Sequence, residues 1–167
     1  MTKRFNIGSA IVISTILFTC NAHADVTAAS EADKTFVSKV FEGDLYEVEA
    51  SELAEQKAWA PNVKDIAYTE IHDHEQVNHK LKSITAKDGV PISNKLNATF
   101  SARLAKLNSI PTEQFDTAYL IDMEDIHKGD EKLFAKEAID GSSSFQEFAH
   151  DTDLIVKRHI GALHALD

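Results

Sequence analysis

The sequence predicts an all-α protein: four long helices packed as a bundle, with a shorter helical stretch crossing between the second and the third. Three observations carry this expectation. Apolar residues recur at spacings of three, four and seven along most of the chain, the mark of helices with one buried face. All three prolines beyond residue 24, with Gly89 and Gly141, fall between these periodic stretches, as punctuation should. The links from helix one to two and from three to four are short, whereas about 20 residues separate two from three, and a single long crossover is the layout of ferritin-like bundles.

The N-terminal segment reads as a secretory signal. Lys3 and Arg4 precede an apolar run from Ile7 to Phe18, followed by Ala22-His23-Ala24, small residues where a signal peptidase acts. That run is 12 residues long, against roughly 20 for a membrane span, and no later segment is apolar enough to cross. Cys20 raises the alternative of lipoprotein processing, but Leu17-Phe18-Thr19 poorly matches the small residues such processing requires. The expected cleavage lies between Ala24 and Asp25. It leaves a single domain, residues 25–167, in the periplasm or outside the cell.

The first helix is expected over roughly Asp33–Trp59, with Val37, Val40, Phe41, Val48 and Ala54 on its buried face. Pro61 suits the first position of helix two, which carries Val63, Ile66, Ala67, Val77, Leu81 and Ile84 and stops at Asp88-Gly89-Val90-Pro91. The crossover is Asn94–Asn108, with Leu96, Phe100, Leu104 and Leu107 on one face. Pro111-Thr112-Glu113 opens helix three, which carries Phe115, Tyr119, Leu120, Met123, Leu133 and Phe134 and breaks at Asp140-Gly141-Ser142-Ser143. Helix four follows with Phe145, Phe148, Ile155, Val156, Ala162 and Leu166.

Removing residues 1–24 takes away Lys3, Arg4, Cys20 and His23, leaving 15 basic and 27 acidic side chains and a net charge near −12. Nucleic acid and anionic lipid both require a basic footprint, so neither is an expected partner. The mature chain has no cysteine, and a chain of this length is held by its core. No nucleophile stands out: Ser142, Ser143 and Ser144 occupy a turn where serine caps helices, there is no glycine-rich phosphate loop, and no catalytic residue is assigned.

Four residues interrupt the apolar stripes. Glu47, His74, His127 and His159 each fall on the buried face of a different helix, where such side chains are costly unless paired or ligating. Their depths agree. Glu47 lies about 13 residues before the Ala60-Pro61 turn and His74 about 13 after it; at 1.5 Å per residue they share a level, with His127 and His159 within about a turn. Glu70 and Glu124 stand one turn from His74 and His127 as supporting carboxylates. Di-iron bundles use a Glu from each of two helices and Glu-x-x-His from each of the others. Here Glu124 and His127 have that spacing, Glu70 and His74 are four apart, and His159 has Ile155 and Val156 where its carboxylate would be, so a complete ferroxidase centre is not expected. Three histidines and a carboxylate instead suit a single zinc or iron ion. The competing reading makes the histidines neutral, hydrogen-bonded and purely structural. His72, Glu75 and His79 form a second stripe that faces solvent, and Asp125, Asp130 and Glu131 read as exposed surface.

The chain resembles the bacterial domain-of-unknown-function 4142 family. The resemblance is carried by Phe36, Glu47-Val48-Glu49, Asp73-His74, Phe115-Asp116, Tyr119-Leu120, His127 and His159. It implies an exported ferritin-like bundle with a metal site at its inward histidines and implies no activity. Ile126 departs from the pattern, standing where an acidic residue commonly precedes the helix-three histidine. Two functions from different classes follow: a metal-binding bundle of the bacterial envelope related to stress or redox, and a non-enzymatic periplasmic bundle that binds a protein partner.

Overall fold

The computed structural model describes residues 29–166, five helices and no strand among them. The expected signal segment and its cleavage site lie outside the described residues. No described helix is long and apolar enough to cross a membrane.

Helix α1 spans Glu31–Lys57, two residues earlier at each end than its periodicity suggests, because a capping box sets its start. The Ser30 side chain accepts the N–H of Asp33, and the Asp33 carboxylate accepts the N–H of Ser30. Helix α2, Pro61–Asp88, starts at the proline and ends at Gly89, whose left-handed φ of 65° lets the Val90 N–H reach the Thr85 carbonyl. The crossover helix α3, Ala98–Ser109, is shorter than expected because Asn97 acts as its cap, accepting the Phe100 N–H. Helices α4, Thr112–Asp140, and α5, Ser143–His164, complete the bundle.

Three contacts at the ends of α1 fix the topology. Asp116, at the start of α4, accepts the N–H groups of Trp59 and Ala60 in the α1–α2 turn, at 3.0 and 2.8 Å. At the other end, Asp33 accepts the N–H of Ser142 in the α4–α5 turn, at 3.0 Å. Helices α1 and α4 are therefore antiparallel neighbours, and α2 and α4 start from the same end, as a ferritin-like layout requires. Helix α3 runs outside α1, from a hydrogen bond between Asn97 and Glu42 to one between the Lys57 ammonium and the Asn108 carbonyl. Midway, Phe100 stacks on Tyr46 with 5.0 Å between centroids, while Arg103 and the Tyr46 hydroxyl both bind Asp122 of α4.

The core is in two parts. One half is aromatic: Phe36 meets Phe134, Phe145 and Phe148 edge-on, beside Val37, Phe41, Val77 and Leu81. The other contains Tyr46, Phe115, Tyr119 and Met123, with Ala50, Ala54 and Ala67 permitting close helix approach. Between them lies a layer of histidines and carboxylates.

At the aromatic end, Gly141 has no room for a side chain, since a Cβ there would stand 2.8 Å from the Glu137 carbonyl oxygen. The Glu137 carboxyl faces Asp33, and burial and then Asp33 push it up to about 7. Its folded value exceeds its ordinary one, so the folded chain holds more protons than the unfolded chain between about 4.5 and 7. The pair's contribution to stability therefore falls as pH rises through that window. Glu137→Gln is expected to flatten this slope, read as urea midpoints at the window's two ends; an unchanged slope would show that the pair shares no proton.

Candidate metal centre

The layer is built by four helices. Asp44 and Glu47 come from α1, Glu70 and His74 from α2, His127 from α4 and His159 from α5; all six are 0–3% exposed. Each lies on the stripe that also buries its helix's apolar residues, which is why helical periodicity alone brings them inward.

The three inner ring nitrogens gather around one oxygen. His74 Nε2, His127 Nε2 and His159 Nδ1 lie 3.1, 3.3 and 2.8 Å from Glu70 Oε2. His127 Nε2 is also 3.0 Å from His159 Nδ1. The outer nitrogens are each held by an oxygen. His127 Nδ1 donates to the Met123 carbonyl at 2.7 Å, His159 Nε2 faces Asp73 Oδ2 at 2.8 Å, and His74 Nδ1 faces Asp44 Oδ1 at 2.9 Å. Asp73 is itself gripped by Arg158. In a neutral ring, a donating outer nitrogen leaves the inner one as a bare lone pair. Three such lone pairs and a carboxylate oxygen at these separations repel unless a proton or a metal cation sits among them.

The electrostatics follow from this crowding. Burial alone would raise the Glu70 carboxyl, but hydrogen bonds from His127, His159 and His74 hold it well below the usual range. Burial would lower His74, yet the charge of Glu47 and bonds to Asp44 and Glu70 hold it well above the usual value. His127 is likewise pushed up to about 9, burial being outweighed by Glu70 and Glu47. Burial takes the Asp44 carboxyl up to about 6 against the pull of His74.

The structure brings Glu47, His74, His127 and His159 into one layer and gives the central place to Glu70, which the sequence suggested only as support. Glu47 stands beside it, 3.4 Å from His74 Nδ1 and 3.6 Å from His127 Nε2. Glu124 is elsewhere: it pairs at the surface with Lys128 and His164, at 2.6 and 2.9 Å, because the buried stripe of α4 runs through Tyr119, Met123, Ile126 and His127 and leaves Glu124 at its edge. Asp130 is a second correction. Asp125 is exposed as expected, but Asp130 and Glu131 are half-buried, and burial and the charge of Glu47 raise the Asp130 carboxyl well above the usual range. His72, Glu75 and His79 are exposed, and Met123 and Phe134 are core. Sequence reading missed Asp44, although it continues the 37, 41, 44, 48 stripe of α1. It also gave no role to Asp73, whose place one residue from His74 hid its reach to α5.

Among solved structures, a crystal structure of a DUF305 fragment from Deinococcus radiodurans matches with a TM-score of 0.74, at 14% identity over 83% of this chain and 97% of that one. Such a likeness shows the fold alone. No curated protein matches the sequence. The model of one family, described as a domain of unknown function (DUF4142), matches residues 18–166, and the chain belongs to that family.

Proposed function

We propose that the protein is an exported metal-binding bundle that holds one zinc or ferrous ion among His74, His127, His159 and Glu70, with Glu47 beside them. The observation that carries this reading is the convergence of three inner ring nitrogens on Glu70 Oε2 while each outer nitrogen is anchored by an oxygen. Anchoring of that kind orients imidazoles as ligands and fixes the tautomer. In a tetrahedral site with bonds of about 2.0–2.1 Å, ligand atoms stand about 3.3 Å apart. Four of the six present separations are 2.8–3.3 Å and all four atoms lie within 4.8 Å of one another, so small side-chain shifts bring them to that spacing.

Around zinc, four protein ligands close a tetrahedral site, leaving no position for substrate. The chemistry therefore favours holding or buffering an ion over turnover, and a role in metal or redox stress in the bacterial envelope. Export rests on Lys3, Arg4, the short apolar run and Ala22-His23-Ala24; an intact mass beginning at Asp25 would bear it out, and retention of residues 1–24 or a lipid on Cys20 would overturn it.

A second reading has its own observation. Every ring nitrogen of the three histidines already has a protein partner within 3.1 Å, as a self-contained structural layer would, and Trp59, 84% exposed, offers an apolar contact to a protein partner. Elemental analysis of untagged protein from its native compartment separates the two. About one equivalent of zinc or iron, lost in His127→Ala with helicity retained, supports the metal site; a metal-free protein that takes up neither ion supports the structural layer.

A further inference from the structure

On the Nδ1 side of His74 lie two carboxylates that Glu70 leaves off the centre of the imidazole cluster. Asp44 Oδ1 and Glu47 Oε2 are 2.9 and 3.4 Å from that nitrogen. Asp44 Oδ2 is buried and has no hydrogen-bond partner among the described residues, and neither has Glu47 Oε1, which stands 3.6 Å from His127 Nε2. A buried carboxylate oxygen without a partner is costly, and its survival in a fold calls for an occupant.

The surroundings supply room for one. A cavity of about 260 Å³ opens between α1 and α4, lined in part by Lys39, Glu42, Gly43, Gly129 and Asp130. Gly43 and Gly129 both sit within long helices, where glycine is disfavoured, yet both border this space. A Cβ on Gly43 would stand 3.9 Å from Glu47 Oε2 and 4.0 Å from Asp130 Oδ1, so any larger side chain there would fill the gap between the carboxylates.

We propose a second cation site behind Gly43, holding a hard divalent ion such as manganese(II) on Asp44 and Glu47, with Asp130 on the wall of the adjoining α1–α4 cavity as a third carboxylate. Asp44 has the right division of labour: one oxygen accepts from His74 and the other is free to ligate. An oxygen-only set prefers manganese, magnesium or calcium, whereas the imidazole-rich cluster prefers zinc-like ions. The cavity leaves space for the waters such ions retain. The site goes beyond the imidazole cluster and does not require that cluster to be occupied.

The test is a manganese titration of protein already given one equivalent of zinc, followed by the loss of the free manganese EPR signal. Wild type is expected to take up one manganese ion, and Asp130→Asn and Gly43→Val to bind it at least about tenfold more weakly with zinc uptake unchanged. Manganese left free by the wild type, or bound equally by Asp130→Asn, overturns the proposal. Asp130→Asn carries the comparison alone if Gly43→Val fails to fold by circular dichroism. Binding of manganese that depends on Asp130 in a protein that takes no zinc would uphold this site while removing the imidazole one; zinc uptake with manganese left free would do the reverse.

Discussion

Glu70→Ala is expected to destabilise the metal-free protein by about 3–5 kcal/mol, the cost of removing one partner from a buried charge pair. Glu70 Oε2 is the common acceptor of His74, His127 and His159, so its loss leaves buried imidazoles facing one another with nothing to balance them. Glu70→Gln keeps the volume and one acceptor and should cost less. Urea midpoints in the presence of a chelator measure both. A Glu70→Ala protein as stable as wild type would show that the layer contributes nothing to folding, and the same variant should also fail to retain stoichiometric zinc.

Zinc should raise the melting temperature of the wild type by about 8–16 °C. An ion at a thousand times its dissociation constant stabilises the folded state by about 4 kcal/mol, and a chain of this size gains about 2–4 °C per kcal/mol. Calorimetry with and without chelator reads the shift directly. In His159→Ala most of the shift should vanish, because that variant loses both an inner nitrogen and the link through Asp73 to Arg158. A wild-type melting temperature indifferent to zinc would eliminate the imidazole site.

Periodicity was enough for the helices and their order, since each long helix buries one stripe and its ends carry strong signals such as Pro61 and Gly89. Depth counted along straight helices placed Glu47, His74, His127 and His159 at one level because rise per residue varies little. Counting does not resolve which of two carboxylates on a stripe reaches the centre. Glu70 and Glu47 both face inward, and only the packing of α2 between α1 and α5 puts Glu70 among three rings. Asp130 was legible in the same limited way. Its place in an acidic run suggested solvent, whereas Gly43 on the facing helix, by presenting no side chain, leaves room for its half-buried carboxyl.

The division of the core into two apolar halves bears on how the molecule breathes. Each half is held together by its own contacts, the edge-on phenylalanines in one and Tyr46, Phe115 and Tyr119 in the other, so apart from the helices that run through both, the polar layer is what couples them. Such a seam is a natural boundary between cooperative units of hydrogen exchange. Without an ion, amides in the two halves should exchange with separate opening energies; an ion spanning α2, α4 and α5 would make them open together. Metal content would then set the size of the cooperative unit as well as the overall stability.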